Sequence, residues 1–320
     1  MVSSKDLERV VKLADHGHFG RAAKVLGITQ PALSRSIEDL ERRLGAKVFD
    51  RGRWGLAPTD VGELLIARGR LILQQGRDLQ DEIERLRGLN TGRLEITLGP
   101  YAAETSGHRS VARLVALHEH IRCRVRVSDW RQAMQDVLDG RSEMALADAS
   151  EVKSKPDLQA SPVFRHPMYF FCRRGHEILR LDTPQLTDLA AYPWAGTRAP
   201  ARIADFAPRE MGRAGSWEER TGDFLPAIAL EVAHDIASIT LASDVIAVAP
   251  ITVVEPELRA GTLARIPIAT PWLQLEYALL VRANRTRSTV ALAFAKLLAQ
   301  VEDELQQRET ALQPRYAFSR

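Results

Sequence analysis

The segment running from His18 to Gly45, HFGRAAKVLGITQPALSRSIEDLERRLG, constrains this chain more than any other. Phe19, Ala22, Ala23 and Leu26 recur at the spacing of one buried helical face. Gly27 ends that helix, because a residue without Cβ takes the left-handed conformation cheaply. Thr29 suits the N-cap of a second helix and Pro31 its first turn. Leu33, Ile37, Leu40 and Leu44 bury one face of this second helix, and Gly45 terminates it. Gln30, Ser34, Arg35 and Asp39 then fall near its outer face. Two short helices around a Gly-containing turn make a helix-turn-helix, whose second helix enters the major groove of DNA. A hairpin serving only as core has no use for Gln, Ser and Arg there, and those residue types read base edges and phosphates.

The rest of the chain must supply what such a small module lacks. With 320 residues, 45% of them apolar, there is room for two or three domains with sizeable cores. No apolar run reaches membrane-spanning length, and the N-terminus has no signal-peptide core, so the expectation is a cytoplasmic protein without membrane contact. Residues 1–90 hold 16 Lys and Arg against 13 Asp and Glu, so all of the +3 net charge lies there and the remainder is neutral. That excess is small for a DNA binder, and dimerisation, which doubles the phosphate contacts, would compensate. The two cysteines, Cys123 in IRCRVRV and Cys172 in MYFFCRR, read as free thiols with no CxxC partner.

Along the chain, residues 3–17 form an opening helix. After Gly45, AKVFDRGRWGLAPT reads as a β-hairpin carrying Arg51, Arg53 and Trp54. It is either a wing reaching the sugar-phosphate backbone or minor groove, or an exposed basic turn. Thr59 or Asp60 caps a long helix running to about Leu89. Leu65, Ile72, Leu79 and Leu86 recur every seven residues on it, and Gly62, Gly69 and Gly76 form a second seam of seven. Glycine costs a helix interior roughly 1 kcal/mol against alanine, so the glycines imply close helix packing, against a second copy or against the helix's own domain. From Leu94 strands and helices alternate, which implies a mostly parallel sheet with helices on its faces. Strand-like EVAH follows residue 230, and the tail after about Gln307 reads as poorly ordered.

These residues together resemble the N-terminal module of LysR-type transcriptional regulators: FGRAAKVLGITQPALSRSIEDLERRLG, then KVFDR, then PTDVG opening the long helix. More loosely, GRLEITLG, CRRGHEIL and ASDVIAVAPITVVEPELRAGTLARIPI resemble the effector domain of that family. The resemblance implies α/β architecture with an N-terminal all-α winged helix-turn-helix at 1–58 and a linker dimerisation helix at 59–90. It also implies a two-subdomain effector domain at 91–307, similar to periplasmic binding proteins, and a tail at 308–320. Two crossovers place the first subdomain at about 92–162 plus 268–302 and the second at 163–267. The implied assembly is a homodimer or homotetramer on double-stranded DNA, with Leu65, Gly69, Ile72, Gly76 and Leu79 in the dimer seam. RNA polymerase is an admissible further partner. The DNA-reading positions fall on Gln30, Pro31, Ser34 and Arg35 of the second helix and on Arg51 and Arg53 of the wing. Gln suits adenine, Arg suits guanine or phosphate, and Pro31 offers a contact to a thymine methyl.

The same resemblance places a small-molecule effector between the subdomains, at strand C-termini and helix N-termini. Tyr101, Thr105, Ser128, Trp130, Thr197, Arg198, His234 and Ile251 are the candidates. Each alone is more readily read as structural, and it is their shared strand-end placement that marks them as a set. Where relatives often place a hydroxyl for a carboxylate effector, this chain has Ala102 and Ala103, and Tyr101 or Thr105 would take over. Arg198 and His234 favour an anionic or acceptor-rich ligand.

Catalysis is the competing class. The chain has no phosphate loop, no GxGxxG after a strand and no nucleophile elbow. His118, Glu119 and His120 are neighbours pointing to different sides of an element, which makes a poor metal site. No enzyme activity, metal or cofactor is therefore expected. A module used only for protein contacts is the other rival, separable by DNA affinity and its salt dependence.

Overall fold

The computed structural model describes residues 2–52, 55–86 and 92–316. The chain divides into two compact units, Met1–Thr91 with Leu138–Arg141, and Gly92–Val137 with Ser142–Arg320.

The first unit opens with α1 (Ser4–His16), α2 (Phe19–Leu26) and α3 (Gln30–Leu44). Ser3 and Asp6 form a capping box at the start of α1, satisfying backbone donors that the first turn leaves open. Gly27 takes φ +67 and its N–H bonds back to Ala23 and Lys24, so the turn between α2 and α3 is closed by a left-handed cap. Val10, Leu13, Ala22, Leu33, Ile37 and Leu40 are buried in one small core. A hairpin follows, β1 (Phe49–Gly52) antiparallel to β2 (Gly55–Pro58). The long helix α4 spans Asp60–Leu86, with Thr59 accepting from Gly62 N at 3.1 Å.

The first two glycines of the α4 seam pack inward. A Cβ on Gly62 would lie 2.1 Å from the Val48 carbonyl oxygen, and one on Gly69 3.2 Å from Leu7. Leu65 is half-buried against the module's own core. These three positions are therefore taken up by α1 and the hairpin, which corrects the expectation that Leu65 and Gly69 face a second copy. Gly76 is open, while Ile72, Leu79 and Ile83 are 49%, 59% and 41% exposed.

The second unit is α/β. Strand β3 (Gly92–Leu98) leads into a continuous helical stretch: α5 (Pro100–Ala102), a π-turn over Ala103–Gly107, and α6 (His108–Leu117). Then come β4 (Ile121–Val127), α7 (Trp130–Leu138) and β5 (Met144–Ala147). Strand β6 is long (Leu158–Arg173). The chain continues through α8 (Leu186–Leu189), β7 (Trp194–Gly196), β8 (Gly215–Trp217), β9 (Phe224–Pro226) and β10 (Ile228–Ala229). Helix α9 (Ile236–Leu241), β11 (Ile246–Pro250), α10 (Glu255–Ala260) and β12 (Leu263–Arg265) follow. Strand β13 (Gln274–Arg282) and α11 (Thr289–Arg315) end it.

Two lobes share β6. In the first, β3 lies parallel between β4 and β5, and β13 runs antiparallel to β5. In the second, β11 is parallel to β7, and β7 is parallel to β10. Each lobe thus has a parallel part, but the crossover strands pair antiparallel, so the sheet is mixed rather than mostly parallel. Strand β6 pairs with β13 as far as Pro167, then with β11 from Met168 onward. Each lobe has its own core, one around Leu94, Ile96, Leu279 and Phe294, the other around Phe170, Trp194, Ile236 and Ile246.

Two further expectations change. EVAH is not a strand; the paired residues are Ile228 and Ala229, just before it. The chain beyond Gln307 is helical to Arg315, because Glu309 and Leu312 are buried against the second unit.

Candidate DNA-contacting face and effector cavity

Helix α3 begins at its cap, Thr29 Oγ1 accepting from Ala32 N at 3.4 Å. Gln30, Pro31 and Arg35 are exposed, and Ser34 is half-buried. The two acids beside them are engaged: Ser34 Oγ donates to Glu38 at 3.0 Å, and Arg42 pairs with Asp39 at 2.9 Å. Arg42 therefore offsets the charge of one of these acids locally. Glu41, at the base of the same helix, accepts from Val48 N, Phe49 N and Lys47 Nζ at 2.9, 3.3 and 2.8 Å. Burial opposes its charge, yet these donors hold its carboxyl below the usual range. The hairpin is thereby fixed to α3. Arg51 lies in β1 opposite Leu56. Arg53 and Trp54 lie outside the described residues.

In the second unit a cavity of about 530 Å³ opens between the two lobes. Of the eight candidates, Tyr101, Ser128, Trp130, Thr197 and Arg198 line it. Tyr101 is buried, and its hydroxyl donates to the Val248 carbonyl of the other lobe. Trp130, at the first turn of α7, is 5% exposed, and its indole N–H has no acceptor among the described residues.

Thr105, His234 and Ile251 do not line the cavity. Thr105 lies one turn beyond Tyr101 and faces the core, where it bonds the Tyr101 carbonyl at 2.9 Å and the Tyr277 hydroxyl at 2.9 Å. His234 sits in a turn rather than at a strand end; its side chain is 80% exposed, 3.7 Å from Glu104. Ile251, just past β11, is buried in the second lobe's core.

Several residues not singled out from the sequence also shape the cavity. Asp129 and Asp148 follow β4 and β5, so the strand-end rule that picked Ser128 applies to them equally. Arg202 pairs with Asp148 at 2.8 Å, linking the second lobe to the first. Arg131 pairs with the fully buried Asp223, which also takes Arg198 at 3.2 Å. Arg198 bonds Glu218 at 2.7 Å as well. The Thr221 hydroxyl and the Arg198 guanidinium hold the Glu218 carboxyl below its usual range. No periodicity marks residues 198–226 as a charge cluster, because Arg198 meets Glu218 and Asp223 across irregular chain while Asp223 and Arg202 take partners from the other lobe. Both cysteines are free, and burial pushes the Cys172 thiol up to about 12 and that of Cys123 upward too. Both shifts disfavour the thiolate, the form in which cysteine reacts.

The model of the bacterial regulatory helix-turn-helix protein, lysR family, matches residues 4–63, and that of the LysR substrate binding domain matches residues 87–303. This chain belongs to the LysR family of transcriptional regulators. The regulator is 36% identical over 298 residues to the SDS degradation transcriptional activation protein of Pseudomonas sp. (strain ATCC 19151), covering 92% of this chain and 94% of that one. A full-length OxyR variant from Pseudomonas aeruginosa shares its fold at TM-score 0.65 and 17% identity, covering 94% of this chain and 95% of that one. Full-length CbnR, solved in complex with target DNA, shares it at TM-score 0.57 and 17% identity, covering 93% and 99%. The first unit is thus the DNA-binding module of a regulator and the second its effector-binding domain. Among the described residues no helix is long and apolar enough to cross a membrane.

Proposed function

We propose that this regulator reads DNA through Gln30, Pro31, Ser34 and Arg35 of α3, with Arg51 and Arg53 of the hairpin contacting the backbone. The observation that carries this is the exposed face of α3, where Gln30, Pro31 and Arg35 meet solvent while Glu38 and Asp39 are tied up locally. Arg can pair bidentately with guanine and Gln with adenine.

The effector occupies the cavity between the lobes, against Tyr101, Ser128, Trp130, Thr197 and Arg198. Its binding changes how the lobes close, and through the assembly the spacing of paired recognition helices on two half-sites. Two copies join along the outward seam of α4, Ile72, Gly76, Leu79 and Ile83, where Gly76 leaves room for a partner backbone. A DNA-bound oligomer of this kind is placed to touch RNA polymerase. On the strength of its 36% identity to the SDS degradation activator, its target genes serve the breakdown of a related class of compound. An anionic effector receives less support than the sequence suggested, since His234 lies outside the cavity and Arg198 is already paired with two carboxylates.

DNase footprinting of the intergenic region beside its own gene, with wild type and Arg35→Ala, tests the reading. Protection over several helical turns, lost in the variant, is expected. Equal protection by both proteins would remove Arg35 from the contact set.

A further inference from the structure

With the cavity taken as the effector site, as proposed above, its wall narrows the chemistry of the occupant. Met168, Phe170, Trp194, Met211, Phe224 and Leu225 supply an apolar wall around about 530 Å³. Thioether side chains adapt to a flexible apolar body. The charges on that wall are already cancelled within the protein, Arg198 by Glu218 and Asp223, and Arg202 Nη2 by Asp148. A compact polyanion would have to break these pairs and face Asp129, Asp148 and Glu231, which also line the space. Two donors nevertheless lack acceptors among the described residues: the indole N–H of Trp130, in a side chain 95% buried, and Arg202 Nη1. Buried donors of this kind find a partner in nearly every native structure. Trp130 and Arg202 both line the cavity, so a ligand oxygen that draws these buried donors toward it would supply the missing acceptors.

We infer that the effector is an aliphatic amphiphile, a hydrocarbon body lying along the apolar wall with a small head bearing oxygen acceptors for Trp130 Nε1 and Arg202 Nη1. A sulfate ester, a carboxylate and a primary alcohol all carry such a head. Four of the five tryptophans (130, 194, 217 and 272) line the cavity, so intrinsic fluorescence reports occupancy.

The full-length protein is titrated with decyl sulfate, decanoate and decan-1-ol, each below its micelle concentration, and with the six- and eight-carbon homologues. Glucose, citrate and arginine serve as polar controls. Saturable binding is expected for at least one head, the preferred head identifying the source. Affinity should rise about fourfold per added methylene, as expected when each is buried. Trp130→Phe, which keeps the ring and loses the donor, should weaken binding about two- to tenfold. Leu225→Glu, a charge set into the half-buried wall, should abolish it while leaving the circular dichroism spectrum and DNA binding intact. Affinity that does not change with chain length overturns the amphiphile. A polar control that binds and is blocked by Leu225→Glu overturns the amphiphile but keeps the cavity as the effector site. Alkyl binding indifferent to both substitutions overturns the cavity assignment itself.

Discussion

The two units handle charge in opposite ways. On α3 the cation Arg35 is left outside, and the neighbouring Asp39 is offset by Arg42. In the second unit charge is drawn inward and cancelled: Arg131 meets Asp223 and Arg202 meets Asp148 across the cleft, and Arg198 meets Glu218 and Asp223 within one lobe. Deeper still, His166 is fully buried between Glu302 and Glu309, each 3.1 Å from a ring nitrogen. Exposed charge suits a polyanion whose binding weakens steeply with salt. Cancelled charge suits a small, largely apolar ligand whose binding hardly responds to salt.

The largest effect is expected at His166. Tyr277 donates to Glu302 at 2.8 Å and stacks on the His166 ring, so one imidazole holds two carboxylates and a phenol together. His166→Leu leaves two buried carboxylates without a counter-charge and should cost about 3–5 kcal/mol, read by urea unfolding. A loss below about 1 kcal/mol would mean that the cluster takes up a proton instead. The same site predicts a pH effect. Burial opposes the imidazolium, but Glu302 and Glu309 outweigh it and push His166 up to about 9. A raised folded value means the stabilisation is complete below the unfolded value, near 6.5, and is lost as pH rises through about 9. The loss should approach about 3 kcal/mol between those limits and be absent in His166→Leu, which separates it from other titrations.

At the DNA end, Gly62 offers the corresponding test. A Cβ there would meet the Val48 carbonyl, with no flexible side chain to give way. Gly62→Ala should destabilise the module by about 1–3 kcal/mol and displace the hairpin from α3, weakening DNA binding while effector binding is unchanged. Gly76→Ala, in open space within one copy, is the control for the module's folding, which it should leave unchanged or slightly stabilise through helix propensity, while it loosens the dimer seam proposed above. If both substitutions behave alike, the glycine seam has no packing role.

How much of this was legible in the sequence follows the same division. The helix-turn-helix was readable because its information is local: caps at Thr29 and Gly27, an apolar face at fixed spacing, polar residues on the other side. The exposed seam of α4 was only half readable. Spacing located two heptad rows, but which of them α1 would cover depends on how Leu7 and Val11 pack, and that is not in the period. In the cleft, the ends of β3, β4 and β7 were legible but the expected EVAH strand was not there, and five of eight candidates line the cavity. Thr105 went astray because a π-turn through Ala103–Gly107 shifts the helix face by a residue. Asp223 and Arg202 were invisible because Arg131 and Asp148 reach them from the other lobe, and Glu218 because Arg198 meets it across irregular chain that no period describes.

The mildest test removes one of these cross-lobe pairs and asks whether cancellation, rather than absence, of charge sets the cavity's preference. Asp148 takes Arg202 with one oxygen and the Ser150 backbone N–H with the other. Asp148→Asn keeps the size and the acceptor and removes only the charge. Since Arg202 is partly exposed, the stability change should stay within about 1 kcal/mol. Freed from its carboxylate, Arg202 would then offer a net positive charge to the cavity, so the variant should shift preference from an uncharged head toward an anionic one of equal chain length. It should also make that binding salt-sensitive, as DNA binding already is. If head preference and salt response stay as in wild type, the arginines do not reach the ligand, and the apolar wall alone selects it.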